Sequence, residues 1–401
     1  MTENKKVKSG PVGVVGAGTM GIGIVQVAAT AGHTVYVFDK EKQLFERALV
    51  NLNSTLNKLT EKGKISSNEA KDIINRILYA ENLSEFHECD LVIEAIVEDL
   101  SVKQKVFCEL EFATKSNCLL ASNTSSLSIT SIGGACKNAS RVLGLHFFNP
   151  APLMPLVEII PGIETSTENL IKAKEIIAAW KKIPVIARDT PGFIVNRVAR
   201  PFYGEAIRIY EEGCYGLPEG VEGFATIDRA MRHLGGFRMG PFELMDLIGN
   251  DINYKVTETV WSQFYNDPRY KPSLTQKRMV EANRFGRKSG SGYYNYAAGT
   301  ERPEGLLDDA MAQKILDRIL ALLINEAVDA LYLRIASAED IDLAMTKGVN
   351  YPKGLLKWCD EIGAQNVLNT LNDLSELYQE ERYRPSLLLK ELASTNKKIF
   401  F

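Results

Sequence analysis

Val12–Gly13–Val14–Val15–Gly16–Ala17–Gly18–Thr19–Met20–Gly21 is the stretch on which the reading of the fold turns. Residues 12–15 read as a short buried strand. Residues 20–31 have helical character, and Gly32 suits the position just past a helix end. Residues 34–38 read as a second strand, followed at once by Asp39. A GxGxxG pattern alone is a weak signal. Between a strand and a helix, with an acid 18 residues after its last glycine, it marks a βαβ unit that cradles a dinucleotide. Gly16 permits the tight turn, Gly18 lets the backbone approach a pyrophosphate, and Gly21 lets the helix pack on the sheet. The helix N-terminus then offers unpaired N–H groups and a partial positive charge to the phosphates. Asp39 can accept from a ribose 2′-OH and would repel a 2′-phosphate, so NAD is expected in preference to NADP. FAD competes for the same fingerprint.

Outward from this unit, residues 11–190 keep alternating. Helical patterns cover 42–62, 69–75, 102–114 and 168–182. Strand patterns cover 91–95, 118–121, 142–148, 156–160 and 184–187. Such alternation implies a mostly parallel sheet covered on both faces, a Rossmann-type α/β domain. After Thr190–Pro191–Gly192–Phe193 the pattern changes to long amphipathic helices. That later region repeats itself. IDRAM at 227–231 matches IDLAM at 341–345, RYKPSL at 269–274 matches RYRPSL at 382–387, and EA at 205–206 matches EA at 326–327. The offsets of 114, 113 and 121 residues keep one order, so two copies of an all-helical module are expected, with the Gly- and Tyr-rich residues 285–296 closing the first. The expected domains are 1–189 (dinucleotide-binding), 190–300 (first helical module) and 301–401 (second helical module, structural).

Composition narrows the function. Hydrophobic residues make up 45% and charged residues 24% of 401, the profile of a globular protein with a sizeable core. A net charge of −3 gives no reason to expect a nucleic-acid partner or a polybasic membrane anchor. The six cysteines form no CxxC pair and there are four histidines, so no metal site is expected. The opening MTENKKVKSG lacks the apolar core of a signal peptide, and no apolar run approaches the ~20 residues of a membrane span. A cytoplasmic enzyme is the expectation.

Two clusters carry chemistry. His146 stands in Gly144–Leu145–His146–Phe147–Phe148–Asn149–Pro150, and Glu158 twelve residues later in Leu156–Val157–Glu158–Ile159–Ile160. A ring among Leu and Phe is commonly a satisfied core histidine. A carboxylate flanked by apolar residues must be paired if buried. A turn between the strands could bring the two together. The Glu would then fix the imidazole tautomer and leave the other nitrogen as a base. Spacing alone leaves both readings open. Ser122–Asn123–Thr124–Ser125–Ser126 follows a strand at the carboxyl end of the sheet, where α/β folds bind ligands, and an ordinary polar loop explains it equally.

At these residues the chain resembles the L-3-hydroxyacyl-CoA dehydrogenase family. GAGTMGIGI (16–24), EAIVED (94–99), ASNTSSL (121–127), GLHFFNP (144–150), LVEII (156–160) and TPGFIVNR (190–197) look like its hallmark segments in its order. The resemblance covers about residues 11–296. It implies NAD-dependent, reversible oxidation of (S)-3-hydroxyacyl-CoA to 3-oxoacyl-CoA. It further implies that His146 is the catalytic base, that Glu158 orients it, and that Ser125 and Asn196 bind the reacting oxygen. Besides the glycine loop with Thr19 and Met20, it places Ala95, Ile96, Glu98, Lys103, Asn123, Ser125 and Asn149 at the dinucleotide. Asn149 also falls beside the substrate oxygen, although a turn-former before Pro150 is the simpler account. Lys58, Lys62 and Lys64 lie in the segment the family uses at the CoA entrance, and a lysine cluster is ordinarily a solvated face.

One departure from the family matters. Its common short members have one helical module and pair it in a homodimer, whereas this chain has two. A self-contained monomer with an internal pseudo-dimer is therefore expected beside the alternative of a homodimer. No hydratase-like region precedes the dinucleotide domain, so hydratase activity is not expected. Competing readings are a related polyol or hydroxy-acid dehydrogenase and a dinucleotide-binding protein without catalysis.

Overall fold

The computed structural model describes residues 10–400. The stretch 1–9, on which the reading of an absent targeting segment rests, lies outside the described residues. The chain divides into two compact units, the first ending at Thr190 and the second beginning at Pro191.

The first unit is built on β1 (Val12–Val15), β2 (Val35–Phe38), β3 (Ile77–Tyr79), β4 (Leu91–Glu94), β5 (Leu119–Ser122), β6 (Val142–Phe147), β7 (Leu156–Pro161) and β8 (Ile183–Ile186). They form one sheet in the order β3-β2-β1-β4-β5-β6-β7-β8. Every neighbouring pair is parallel except β6 and β7. β1, β4 and β5 are buried at every position, which is why they read as runs of Val, Leu and Ile rather than as alternation. The helices are α1 (Thr19–Thr30), α2 (Lys42–Glu61), α3 (Ser67–Asn75), α4 (Leu100–Ala113), α5 (Ile129–Gly133) and α6 (Thr167–Ala179). Gly32 has φ +100°, a conformation that suits the residue ending α1. The sequence reading missed β3, since three residues are too short to show a period.

The second unit is helical: α7 (Val195–Val198), α8 (Arg200–Glu211), α9 (Val221–His233), α10 (Pro241–Ile248), α11 (Asn250–Gln263), α12 (Leu274–Glu281), α13 (Asp309–Tyr332), α14 (Ala338–Gly348), α15 (Leu355–Ile362), α16 (Ala364–Tyr378) and α17 (Leu387–Thr395). The order of elements recurs. α10 and α15 each span 8 residues and each ends at a glycine of positive φ, Gly249 and Gly363. A 3₁₀ turn ending in Arg-Tyr precedes both α12 and α17. Asp228 on α9 accepts from the N–H groups of Phe242 and Glu243, and Asp342 on α14 from those of Leu356 and Lys357. No break between compact units falls near residue 300, because α13 packs on α8 and α9 as well as on α16 and α17.

Buried ion pairs cross between the two halves of this unit. Arg197 Nε donates to Glu326 at 2.6 Å, and Tyr270 Oη donates to the same carboxylate at 2.5 Å. Conversely, Arg318 Nε donates to Glu205 at 2.5 Å and Tyr383 Oη at 2.8 Å. Each half thus supplies an Arg and a Tyr to the glutamate of the other.

Candidate active site

β1, β2, β4, β5 and β6 run in one direction, so their carboxyl ends share one edge of the sheet. The strand order reverses between β1 and β4, the switch point at which such sheets bind ligands. To this edge the sequence delivers the glycine loop, Asp39, the segment 94–99, the segment 121–127 and His146.

The three loop glycines differ in what demands them. Gly16 has φ +103°, and a Cβ there would lie 2.6 Å from the Ala95 carbonyl oxygen. A Cβ on Gly21 would collide with the Gly16 carbonyl oxygen. Gly18 has an ordinary φ of −66°, and a Cβ on it would meet nothing within 4 Å. The chain does not need glycine at 18; a phosphate approaching the backbone does. Gly18 is also the N-cap of α1 and makes no side-chain cap bond, leaving the first-turn amides of Thr19 and Met20 for an anion. The residues therefore fit a dinucleotide. Asp39 closes the loop from the other side, accepting from Ala17 N–H at 2.7 Å and from Glu41 N–H at 3.0 Å. These bonds fix the carboxylate and leave it lone pairs for a ribose hydroxyl.

Behind Ala95 and Ile96 lies a polar cluster that the sequence reading only partly found. Glu94, at the end of β4, is buried and accepts from Lys103 Nζ at 2.6 Å, Ser122 Oγ at 2.7 Å and Ile96 N–H at 2.7 Å. Lys103 also lies 3.3 Å from Glu98 and is almost wholly buried. It therefore sets the two carboxylates in place rather than presenting a surface of its own. Glu98 accepts from the hydroxyls of Thr124 and Ser126 and from Ser125 N–H. Burial pushes its carboxyl up, but the Lys103 charge and those hydroxyls outweigh it and hold Glu98 below its ordinary value. Asn123 uses its side-chain oxygen to accept from Phe147 N–H at 2.8 Å, tying the end of β5 to β6. Glu94 and Ser122 stood in the sequence reading only as members of longer segments, because a buried acid at a strand end carries no spacing signal.

His146 and Glu158 face each other directly across the antiparallel strands β6 and β7. Nδ1 lies 2.7 Å from Glu158 Oε2, with the glutamate fully buried and the imidazole 8% exposed. A carboxylate so placed accepts from Nδ1–H and holds the ring in one tautomer. The Phe148 ring lies 4.5 Å from the imidazole. The two residues are thus paired across the strands. Ser125 is half-buried in the loop after β5, Asn149 is exposed after β6, and Asn196 lies on α7 of the second unit. Lys58, Lys62 and Lys64 are exposed at the C-terminal end of α2, where lysine also complements the helix dipole.

Other chemistries find little support. Burial pushes the Cys89 thiol up to about 12 and Cys118 to about 11, unlike an activated nucleophile. Among the described residues no cluster of three or more His, Cys, Asp and Glu could hold a metal ion, and no helix is long and apolar enough to cross a membrane.

The family model "3-hydroxyacyl-CoA dehydrogenase, NAD binding domain" matches residues 11–190. That for the C-terminal domain of the same family matches residues 192–296 and again 315–398. A 3-hydroxyadipyl-CoA dehydrogenase of Escherichia coli K12 is 37% identical, over 95% of this chain and 97% of its own. The human mitochondrial hydroxyacyl-coenzyme A dehydrogenase is 39% identical over 73% of this chain and 93% of its own. The crystal structure of an Escherichia coli K12 3-hydroxybutyryl-CoA dehydrogenase superposes with a TM-score of 0.90 at 35% identity, covering 98% of this chain and all of that one.

Proposed function

The chain belongs to the 3-hydroxyacyl-CoA dehydrogenase family, an NAD-dependent oxidoreductase by that membership, and on that premise we propose that His146 and Glu158 are the acid–base pair of the reaction. The 2.7 Å contact across β6 and β7 carries the reading. In the direction of oxidation, His146 Nε2 takes the hydroxyl proton of an (S)-3-hydroxyacyl-CoA. Glu158 stabilises the imidazolium that results and holds the ring in one tautomer. In the direction of reduction the same nitrogen returns the proton. Ser125 and Asn196 bind the reacting oxygen and so orient the hydride-bearing carbon. The nicotinamide supplies the hydride acceptor.

Gly16, Gly18 and Gly21, with the amides of Thr19 and Met20, hold the pyrophosphate. Asp39 takes the adenosine ribose, and Ala95, Ile96, Glu98, Asn123 and Asn149 line the remainder of the dinucleotide path. Lys103 acts through Glu98. Lys58, Lys62 and Lys64 meet the phosphates of CoA. The helical unit is a tandem duplication whose second copy takes the place of a partner subunit, giving one dinucleotide site per chain and a self-contained monomer. The reciprocal Arg–Glu–Tyr contacts support that reading. A cytoplasmic location agrees with six free thiols.

The test is NADH formation from (S)-3-hydroxybutyryl-CoA and NAD⁺, with NAD stoichiometry by calorimetry. Turnover of the thioester with one NAD per chain is expected. Turnover of free hydroxy acids but not thioesters would replace this reading with a hydroxy-acid dehydrogenase. Binding of NAD without any turnover would leave a dinucleotide-binding protein.

A further inference from the structure

The two halves of the helical unit differ at one buried place, directly beneath Asn196. In the first half, Arg200 is buried and donates through Nε to the Asn196 carbonyl oxygen at 2.7 Å and through Nη1 to Thr257 Oγ1 at 3.1 Å. Gln276 Nε2 donates to Thr257 Oγ1 at 3.2 Å and to Asn253 Oδ1 at 2.6 Å, and both partners are buried with it. The offsets of 121, 114 and 113 residues that relate the repeated motifs carry Arg200 to Ala321, Asn253 to Val367, Thr257 to Leu371 and Gln276 to Leu389. All four of those are buried as well. The same four places thus hold polar groups in the first half and hydrocarbon in the second.

That contrast separates fold from function. The second half shows that the packing does not require the polar groups, and burying them costs free energy that hydrogen bonds only partly recover. The cost is greatest for Arg200. Among the described residues no carboxylate lies within ion-pair distance of it, unlike Arg197 and Arg318 nearby. Its surroundings are instead the Tyr203 ring, 5.0 Å away, and the Tyr351 phenol, whose buried hydroxyl has no hydrogen-bond partner. Burial pushes the guanidinium below its ordinary range. A buried guanidinium beside an orphaned hydroxyl is the donor set of a carboxylate receptor. In the second half the corresponding position opens on a groove of about 130 Å³, lined by Asp317 in the place of Asn196 and by Ala321 in the place of Arg200.

The geometry points to Arg200 as a specificity residue that receives a second carboxylate, at the far end of the acyl chain, so that this enzyme favours dicarboxylic 3-hydroxyacyl-CoA thioesters. The inference rests on the proposed role of Asn196 at the reacting oxygen. Asn196 on α7 and Arg200 at the start of α8 are four residues apart, and Arg200 Nε reaches the Asn196 carbonyl oxygen at 2.7 Å, so the two side chains lie within the reach of a few methylene groups. Thr257, Gln276 and Asn253 hold the guanidinium in position.

The experiment compares kcat/KM for (S)-3-hydroxyadipyl-CoA and (S)-3-hydroxyhexanoyl-CoA, equal in length but differing in the terminal carboxylate, in the unmodified enzyme with NAD⁺. A preference of about tenfold or more for the dicarboxylate is expected, falling by about 10- to 100-fold in Arg200→Ala. No preference in the unmodified enzyme, or equal losses on both substrates in the variant, overturns the inference. Inactivity on both thioesters instead overturns the proposed reaction. A quadruple variant, Arg200→Ala with Asn253→Val, Thr257→Leu and Gln276→Leu, takes the residues of the second half. It should melt no lower than the unmodified protein, and a lower melting temperature would make the cluster structural and overturn the inference.

Discussion

Both units bury a carboxylate against a nitrogen base, and the two kinds of pair are built alike. Glu158 meets His146 at 2.7 Å in the α/β unit, and in the helical unit Glu326 meets Arg197 at 2.6 Å and Glu205 meets Arg318 at 2.5 Å. The partner makes the difference. A guanidinium keeps its proton at any working pH, so the arginine pairs can only hold helices together. An imidazole can give its proton up, so the same carboxylate beside it can serve a reaction, which is the role proposed for Glu158. Burial and short distance therefore do not identify a reactive pair. The proposed assignment rests on the identity of the base.

Four measurements would break or sharpen that distinction. The largest effect is expected at the histidine pair. His146→Gln should lower kcat by about 10²–10⁴ and Glu158→Gln should act in the same direction, with NAD affinity scarcely changed. Near-normal turnover in either variant under conditions where chemistry limits would place the pair with the structural ones. Next, Glu205→Gln should leave Arg318 without its main counter-charge and lower unfolding stability by about 3 kcal/mol in urea titration. An unchanged midpoint would mean that the crossed pairs hold nothing. Asp39 is a third setting, a carboxylate bonded to backbone amides alone. Asp39→Ala should erode the preference for NAD over NADP by about tenfold, and equal efficiency with both cofactors in the unmodified protein would contradict its assignment. The smallest effect concerns Glu98. Its carboxyl lies below its ordinary 4.5 in the folded protein, so the stability it contributes is present above that pH and is lost as pH falls through the folded value. Glu98→Gln should flatten that part of an acid titration by thermal melting, and identical curves would show that the Lys103 and Thr124 contacts contribute nothing.

What could be read in advance follows from how local the signal is. The glycine loop was legible because each glycine has a separate job within one βαβ unit. His146 and Glu158 were legible as candidates because acid and base stand among apolar residues, but only the register of β6 and β7 makes them a pair. The burial of Lys103 between Glu94 and Glu98 was not legible, since a lysine on α4 does not announce a buried acid on β4. Arg200 went unremarked because Arg-Pro at a helix start looks like surface. The contrast between Arg200 and Ala321 belongs to the comparison of the two helical halves, not to either stretch alone.

The crossed glutamates also set an order of events on the ribosome. Glu205 is made early, yet its buried partners Arg318 and Tyr383 follow 113 and 178 residues later. Until they emerge, an acid destined for the interior has no counter-charge, and α8 cannot settle. A message cut short after codon 381 would still encode the glycine loop, His146, Glu158 and Asn196. It would lose Tyr383 and Arg382, and with them part of the site that lets Glu205 go inside. Such a loss would thus surface as a defect in the helices next to Asn196, in a protein that keeps every residue proposed to react.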